Sequence, residues 1–421
     1  MMEVVKERWK KVRLGEVCEK VNYGYTASAE YSRVGPKFLR ITDIVLENID
    51  WDKVPYCQIE EKNIPKFLLK EGDIVIARTG ATVGYAKYIK KGIPTAVFAS
   101  YLVRIRLKKD FDARDIGFLI ESDIYKRFIK ANISGAAQPQ ANAQVLTSYP
   151  APIAPLNVQR KIAAILSAYD DLIENNTRRI QILEEMAQTI YKEWFVKFRF
   201  PGYEKVKMVY SELGRIPEGW MVKPSSQVLE INPRINVNKE SEKPFVFMED
   251  VSNTSMVIRC RTRREGLSGS KFQNGDTLFA RITPSLENGK IGFVQFLSSD
   301  NEVGLGSTEF IVLRSKHLCP EYAYLLARTE KFRGNAIKSM IGASGRQRVQ
   351  EACFDHFFLA VPPPSKIERF HGYIAQIFKN IHLLSLKNGI LRRTRDLLLP
   401  KLISEEIDVD DLDINTEELE Q

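Results

Sequence analysis

Ten positions, Ile162, Leu166, Tyr169, Ile173, Asn176, Ile180, Leu183, Ala187, Ile190 and Trp194, follow one another at alternating spacings of four and three, and nearly all are apolar. A second run, Phe370, Ile374, Ile377, Ile381, Leu384, Asn388, Leu391, Arg395, Leu398 and Leu402, repeats the spacing near the other end of the chain. A straight helix drifts about 20° per heptad from a strict 3.5-residue repeat, so seams this long require a partner helix and a supercoil. The two seams match in length and share one chain, which makes an intramolecular antiparallel pair the economical solution. Each helix would run about 48 Å at about 1.5 Å per residue. Asn176, Asn388 and Arg395 interrupt the apolar seams, as polar residues do when register must be fixed. The second helix is expected to start at a capping box, Ser365-Lys366-Ile367-Glu368, and to end or kink at Pro400; Pro201-Gly202 is expected to stop the first.

The remaining sequence is duplicated, with a period of roughly 205 residues that suits a repeated domain rather than a solenoid. Gly72-Asp73-Ile74-Val75-Ile76-Ala77-Arg78 and Gly275-Asp276-Thr277-Leu278-Phe279-Ala280-Arg281 agree at four of seven positions. Around each string come an apolar run ending in Asp (Asp43, Asp250), a Gly-rich stretch (ISGAAQPQ, MIGASGRQ) and a Pro-rich boundary ending at Pro155 or Pro364. Runs such as DIVIA, YLVRIRL, TLFARI and FIVLR read as strands, and IGFLIESDIYKRFIKAN and YAYLLARTEKFRGNAIKSM each read as a helix. The fold class is therefore α+β: a globular domain over 1–155, a coiled-coil helix over 156–200, a second globular domain over 201–363, a distal helix over 364–404 and an acidic tail over 405–421.

The formal charge of +9 hides a larger excess. Residues 404–421 carry nine acidic side chains and no Lys or Arg, which leaves +18 on residues 1–403. A field of that sign favours polyanions. The start MMEVVKERWKKVRLGEV has charges where a signal peptide needs its apolar stretch, and no run approaches the length of a membrane span, so a cytoplasmic protein with no membrane partner is expected. Five scattered cysteines, Cys18, Cys57, Cys260, Cys319 and Cys353, contain no CxxC pair and read as reduced thiols. His317, His356, His371 and His382 lack any metal-ligand spacing, so no metal site is expected.

Taken together, the duplicated GD-strand-Arg units, the GAAQPQ stretch, the Pro boundary leading into QRKIAAILSAYDDLIENNTRRIQILEEMAQTIYKEWF and the closing LKNGILRRTRDLLLPKLISEEI resemble the specificity subunit of type I restriction-modification systems. The resemblance spans nearly the whole chain and implies two target-recognition domains, each reading one half of a bipartite site in double-stranded DNA. It further implies that the helices set the spacer and dock two methyltransferase (modification) subunits, with restriction subunits where the system has them. Catalysis would then lie on those partners, which would also hold S-adenosylmethionine. One departure is visible: the second boundary reads PPPSKIERF where the first reads PLNVQRKI, so Gln159 lacks a counterpart.

Absent motifs agree with a chain that is not itself an enzyme and binds no cofactor. No Asn/Asp-Pro-Pro-aromatic loop is present to hold a target amine, and no G-x-x-x-x-G-K-[ST] string to cradle a nucleotide. Direct readout in the major groove uses Arg or Lys for guanine and Asn or Gln for adenine. Candidates in the first domain are Arg78, Thr79, Thr82, Gln138, Gln140, Asn142 and Gln144, with a further loop, Asn22-Tyr23-Gly24-Tyr25-Thr26, offering aromatic packing; those in the second are Arg281, Thr283, Lys290, Arg346, Gln347, Arg348 and Gln350. Because these loops differ between the copies, two different half-sites are expected. A solitary methyltransferase and a coiled-coil structural adaptor are the readings from other classes, and an orphan DNA-binding regulator is a further alternative.

Overall fold

What makes Gly-Asp recur is a buried ion pair at the head of a central strand. Gly72 and Gly275 take the left-handed conformation (φ 82° and 89°) that a glycine adopts freely, and so turn the chain into the strand. The buried Asp73 carboxylate then accepts from the Lys70 amide at 2.8 Å and from Arg106 at 2.7 and 2.8 Å. Asp276 does the same with the Gln273 amide at 2.7 Å and with Arg314 at 2.7 Å through both nitrogens. Each arginine stands on the strand next to the Gly-Asp strand.

The computed structural model describes residues 9–45, 48–133, 140–237 and 239–416. They fall into two units, residues 1–172 with 391–421 and residues 173–390. The first unit holds a four-stranded antiparallel sheet in the order Cys18–Tyr23, Leu102–Leu107, Ile74–Ala77, Ala86–Tyr88. The second repeats it as Leu229–Ile231, Phe310–Ser315, Thr277–Ala280, Ile291–Phe293. A parallel pair accompanies each sheet, Lys37–Leu39 with Ala96–Phe98 and Lys243–Val246 with Gly304–Gly306. In the second unit that pair is widened by Thr262–Arg264 and Ser270–Phe272. The duplication thus extends to strand order and direction.

Each segment expected to be one helix is two. Ala113–Glu121 stops at Ser122, whose hydroxyl caps Asp123–Ala131, and Pro320–Arg328 stops at Thr329, whose hydroxyl caps Glu330–Lys338. In both, a hydroxyl accepts the amide three residues on and offers the chain an alternative to continuing the helix.

The seams form the expected helices, Leu156–Tyr191 and Pro364–Ile403. Within the first unit, Val158, Ile162 and Leu166 pack with Leu402, Leu398 and Trp9, and Arg395 reaches Asp170 at 2.5 Å. Burial works against the Arg395 charge, but Asp170 and Asp396 more than offset it and raise its pKa. Within the second unit, Ile180, Ala187 and Trp194 share a core with Phe370, Ile374, Ile381 and Leu384, and Asn176 donates to Asn388 at 2.9 Å. Partners fall in number on one helix as they rise on the other, so the coiled coil is antiparallel.

Four expectations need correction. The distal helix starts at Pro364, so Ser365 lies inside its first turn and not at the cap. Pro400 does not end that helix, which runs on to Ile403; its last turn is held by Leu402, buried among Ala154, Val158, Ile162 and Leu166. The proximal α-helix ends at Tyr191 and gives way to a wider π turn over Lys192–Val196, and Phe198 (φ 57°) turns the chain before Pro201 is reached. The distal seam also drifts: Phe378 is buried and Ile377 only half-buried, because Phe378 packs edge-on against Phe293 and Tyr324 of the globule. Beyond the helix, Ile407 and Val409 of the acidic tail pack onto the first unit, where Lys161 donates to the Asp410 carbonyl at 2.7 Å. Among the described residues no helix is long and apolar enough to cross a membrane.

Breaking a buried ion pair by neutralising one partner costs about 3–5 kcal/mol. Asp73→Asn and Asp276→Asn should each lower stability by about 3 kcal/mol, read from urea unfolding, and the double variant should show the sum. A loss below about 1 kcal/mol at either position would reduce that pair to a surface contact.

Candidate nucleic-acid interface

The arginine that closes each Gly-Asp strand is held by the same main-chain pattern in both units. In the first, the Arg78 amide donates to the Tyr101 carbonyl at 3.0 Å and the Arg78 carbonyl accepts from Ala141 at 2.9 Å, while Thr79 bridges to Gln140. In the second, the Arg281 amide donates to the Glu309 carbonyl and its carbonyl accepts from Val349, both at 2.9 Å, while Ile282 bridges to Arg348. Two chain segments far apart in sequence therefore meet at the end of the central Gly-Asp strand of each sheet.

In the first unit the Arg78 guanidinium lies 5.0 Å from the Tyr23 ring, and its Nε is buried without a hydrogen-bond partner. The Tyr23 hydroxyl accepts from the Ala143 amide at 2.9 Å, which ties the end of the Cys18–Tyr23 strand to the start of the Ala143–Thr147 helix, so the loop expected from Asn22 begins only at Gly24. Gly24 is required there, since a Cβ would lie 2.2 Å from the Ala99 carbonyl oxygen. Asn142 caps Ala143–Thr147 by accepting from the Val145 amide at 2.8 Å, so part of its amide is already engaged. Gln140 and Gln144 are exposed, and Thr79 and Thr82 are half-buried. Gln138 lies outside the described residues. Tyr101, 59% exposed and directly joined to Arg78, belongs to this surface as well.

The second unit sorts its candidates more sharply. Lys290 points inward to the Met248 carbonyl at 2.6 Å, and burial lowers its pKa. Thr283 is buried and accepts from the Gln347 amide at 3.1 Å. Arg281 donates to the Val349 carbonyl at 3.2 Å and sits 3.5 Å from Glu351; like Arg78, it buries an unpartnered Nε. Arg348 grips Glu309 with two nitrogens at 2.6–3.1 Å, and that carboxylate raises its pKa. Arg346 is exposed beside the half-buried Gln347. Structure thus separates frame residues (Arg78, Arg281, Thr283, Lys290) from those that face outward (Gln140, Gln144, Arg346).

Sequence reasoning missed Tyr101, Glu309 and Glu351. The first two occupy equivalent places just before a central strand, but what they share is a main-chain bond to the arginine, and Tyr and Glu share no sequence signal.

Residues 6–185 match the family model for the type I restriction modification DNA specificity domain. Over 378 residues the chain is 24% identical to the type I restriction enzyme MjaIX specificity subunit of Methanocaldococcus jannaschii, an alignment covering 85% of this chain and 84% of that one. It is 22% identical to the HindI specificity subunit of Haemophilus influenzae over 95% of this chain and 99% of the relative. A crystal structure of a type I restriction-modification S subunit from M. genitalium superposes with a TM-score of 0.53 at 12% identity, covering 96% of this chain and 98% of that one. That likeness shows a shared fold.

If the frame assignment holds, Arg281→Ala should cost about 1–3 kcal/mol of stability by stranding its buried partners. Arg346→Ala should stay within about 0.5 kcal/mol. Chemical denaturation of the two variants checks this, and equal losses would mean that Arg346 is also part of the frame.

Proposed function

Because the chain belongs to the type I restriction-modification specificity family, we propose that its two units read the two halves of a bipartite DNA site for catalytic partner chains. The observation that carries this reading is one frame built twice with different outward side chains: Gln140 and Gln144 in the first copy, Arg346 in the second. A carboxamide can pair with adenine and a guanidinium with guanine at the major-groove edge. The +18 on residues 1–403 supplies sequence-independent attraction and makes binding fall with salt. Arg78, stacked on Tyr23, and Arg281 hold the loops in place, and so position the readers.

Chemistry is assigned to partners. Modification subunits docked on the helices would bind S-adenosylmethionine and transfer the methyl group, and restriction subunits would cleave where they are present. The chain's own contribution is to choose where this happens. Alone, it is expected to bind DNA and to methylate none. With modification subunits added, Gln144→Ala should weaken the first half-site by about 1–3 kcal/mol and leave the second intact, while Arg346→Ala should do the reverse. Mapping methylated bases on a random library reads both. Equal weakening across all sequences would make these residues phosphate contacts, and no salt-dependent DNA binding at all would favour a structural adaptor.

The helices are proposed to set the spacer. Glu184 is an unsuitable place to lengthen them, since its buried carboxylate accepts from the Ser255 hydroxyl at 2.6 Å and the Met256 amide at 2.9 Å. Leu172 and Ile390 are exposed, and four residues inserted after each keep the pairing balanced. Such an insertion adds about 6 Å to each helix and turns its seam by only about 40°. The complex should then methylate the same half-sites with at least one more base pair between them. An unchanged spacer at full activity would rule out the ruler.

A further inference from the structure

The start of the distal helix brings three metal-ligating side chains together in the second unit. Cys319, at the cap of Pro320–Arg328, Glu321 in that helix's first turn and His371 on the distal helix each present a ligand atom within 4.8 Å of the others. His371 Nδ1 lies 3.0 Å from the Glu321 carboxylate. Cys319 and Glu321 are buried, whereas the His371 side chain is about half exposed.

We infer that Cys319, Glu321 and His371 form a binding site for a divalent transition-metal ion of the zinc class. Thiolate, imidazole and carboxylate are the donors such ions take, and three protein ligands leave a fourth position for water. Tetrahedral bonds of the usual lengths set neighbouring ligand atoms roughly 3.3–3.8 Å apart, so a small side-chain adjustment closes the site. A cation bound there would also sit against the buried Glu321 carboxylate. On binding, the Cys319 thiol gives its proton to solvent as the sulfur–metal bond forms.

The first copy builds something else at this place. There Asp112 caps Ala113–Glu121, and the buried Gln159 of the proximal helix accepts from the Asp112 amide at 2.7 Å and donates to the Ala154 carbonyl at 2.7 Å. Counted from matched seam positions (Ile162 and Phe370), Ile367 stands where Gln159 does and His371 where Ala163 does. The trio is thus not a demand of the shared frame. It joins the recognition globule to the distal helix within the second unit, the joint that Gln159 makes in the first.

The test uses the full chain, stripped with a chelator and titrated with Co(II), then with Zn(II). One equivalent should bind with a thiolate-to-cobalt charge-transfer band that Zn(II) abolishes, and Zn(II) should raise the melting temperature. Cys319→Ser, which places a favourable residue at the helix N-cap position, should lose the band. His371→Ala, at an exposed position, should fold normally, bind at least about tenfold more weakly and lose the Zn(II)-dependent stabilisation. Absence of the band in the parent chain, or binding and stabilisation unchanged in either variant, would overturn the site.

Discussion

A single buried amide decides how the helices of the second unit meet. Asn388 donates to the Ile173 carbonyl at 3.3 Å and to the Thr177 hydroxyl at 3.1 Å, and accepts from Asn176 at 2.9 Å. An amide buried among apolar side chains costs about 1–3 kcal/mol if left unpaired, so a slipped register would be penalised even where its apolar contacts were equally good. In the first unit the Asp170–Arg395 pair applies the same discipline to the parts of the same two helices that lie there. Hydrophobic burial makes the seams associate, and these polar contacts choose the alignment in which they do so.

With that alignment set, the duplicated globules could diverge wherever the frame did not depend on side-chain identity. Asp73–Arg106 and Asp276–Arg314 show what cannot change: the interaction consumes side chains, and so leaves a motif in the sequence. The junction between globule and helix shows what can. It is a glutamine hydrogen bond in one copy and a Cys–Glu–His cluster in the other.

Periodicity made the helices and the central strands legible, because an amphipathic seam or a β-branched run is written in consecutive residues. Pro400 misled because the local loss of a helical N–H is outweighed by burying Leu402 two residues on, a tertiary contact that local rules do not contain. Ser122 and Thr329 misled in the opposite sense, since a hydroxyl mid-run is a weak local signal that becomes a helix break only when its cap bond forms. For the interface, composition could nominate polar loop residues but not their direction. Lys290 and Arg346 look equally available in the sequence; one reaches inward to a carbonyl and the other faces out. The Cys319–His371 proximity was invisible for a simpler reason: its members sit on different elements, and ligand-spacing rules apply only within one.

The way the loops beside Arg78 and Arg281 are anchored leaves their side chains free to differ between the two copies. Their ends are tied by main-chain hydrogen bonds, Ala141 to Arg78 and Val349 to Arg281, and by the bridges Thr79–Gln140 and Ile282–Arg348. Every residue except proline can supply both groups of such a bond. Loop position is therefore independent of most side chains it carries, and substitutions at Gln140, Gln144 or Arg346 change what the surface presents without moving it. The Gly-Asp strand fixes geometry through side chains, while the loops hold geometry through the backbone and leave their outward side chains without a structural duty. On the proposed reading, a scaffold divided this way could change the sequence it recognises by exchanging a few outward residues, with its stability carried elsewhere.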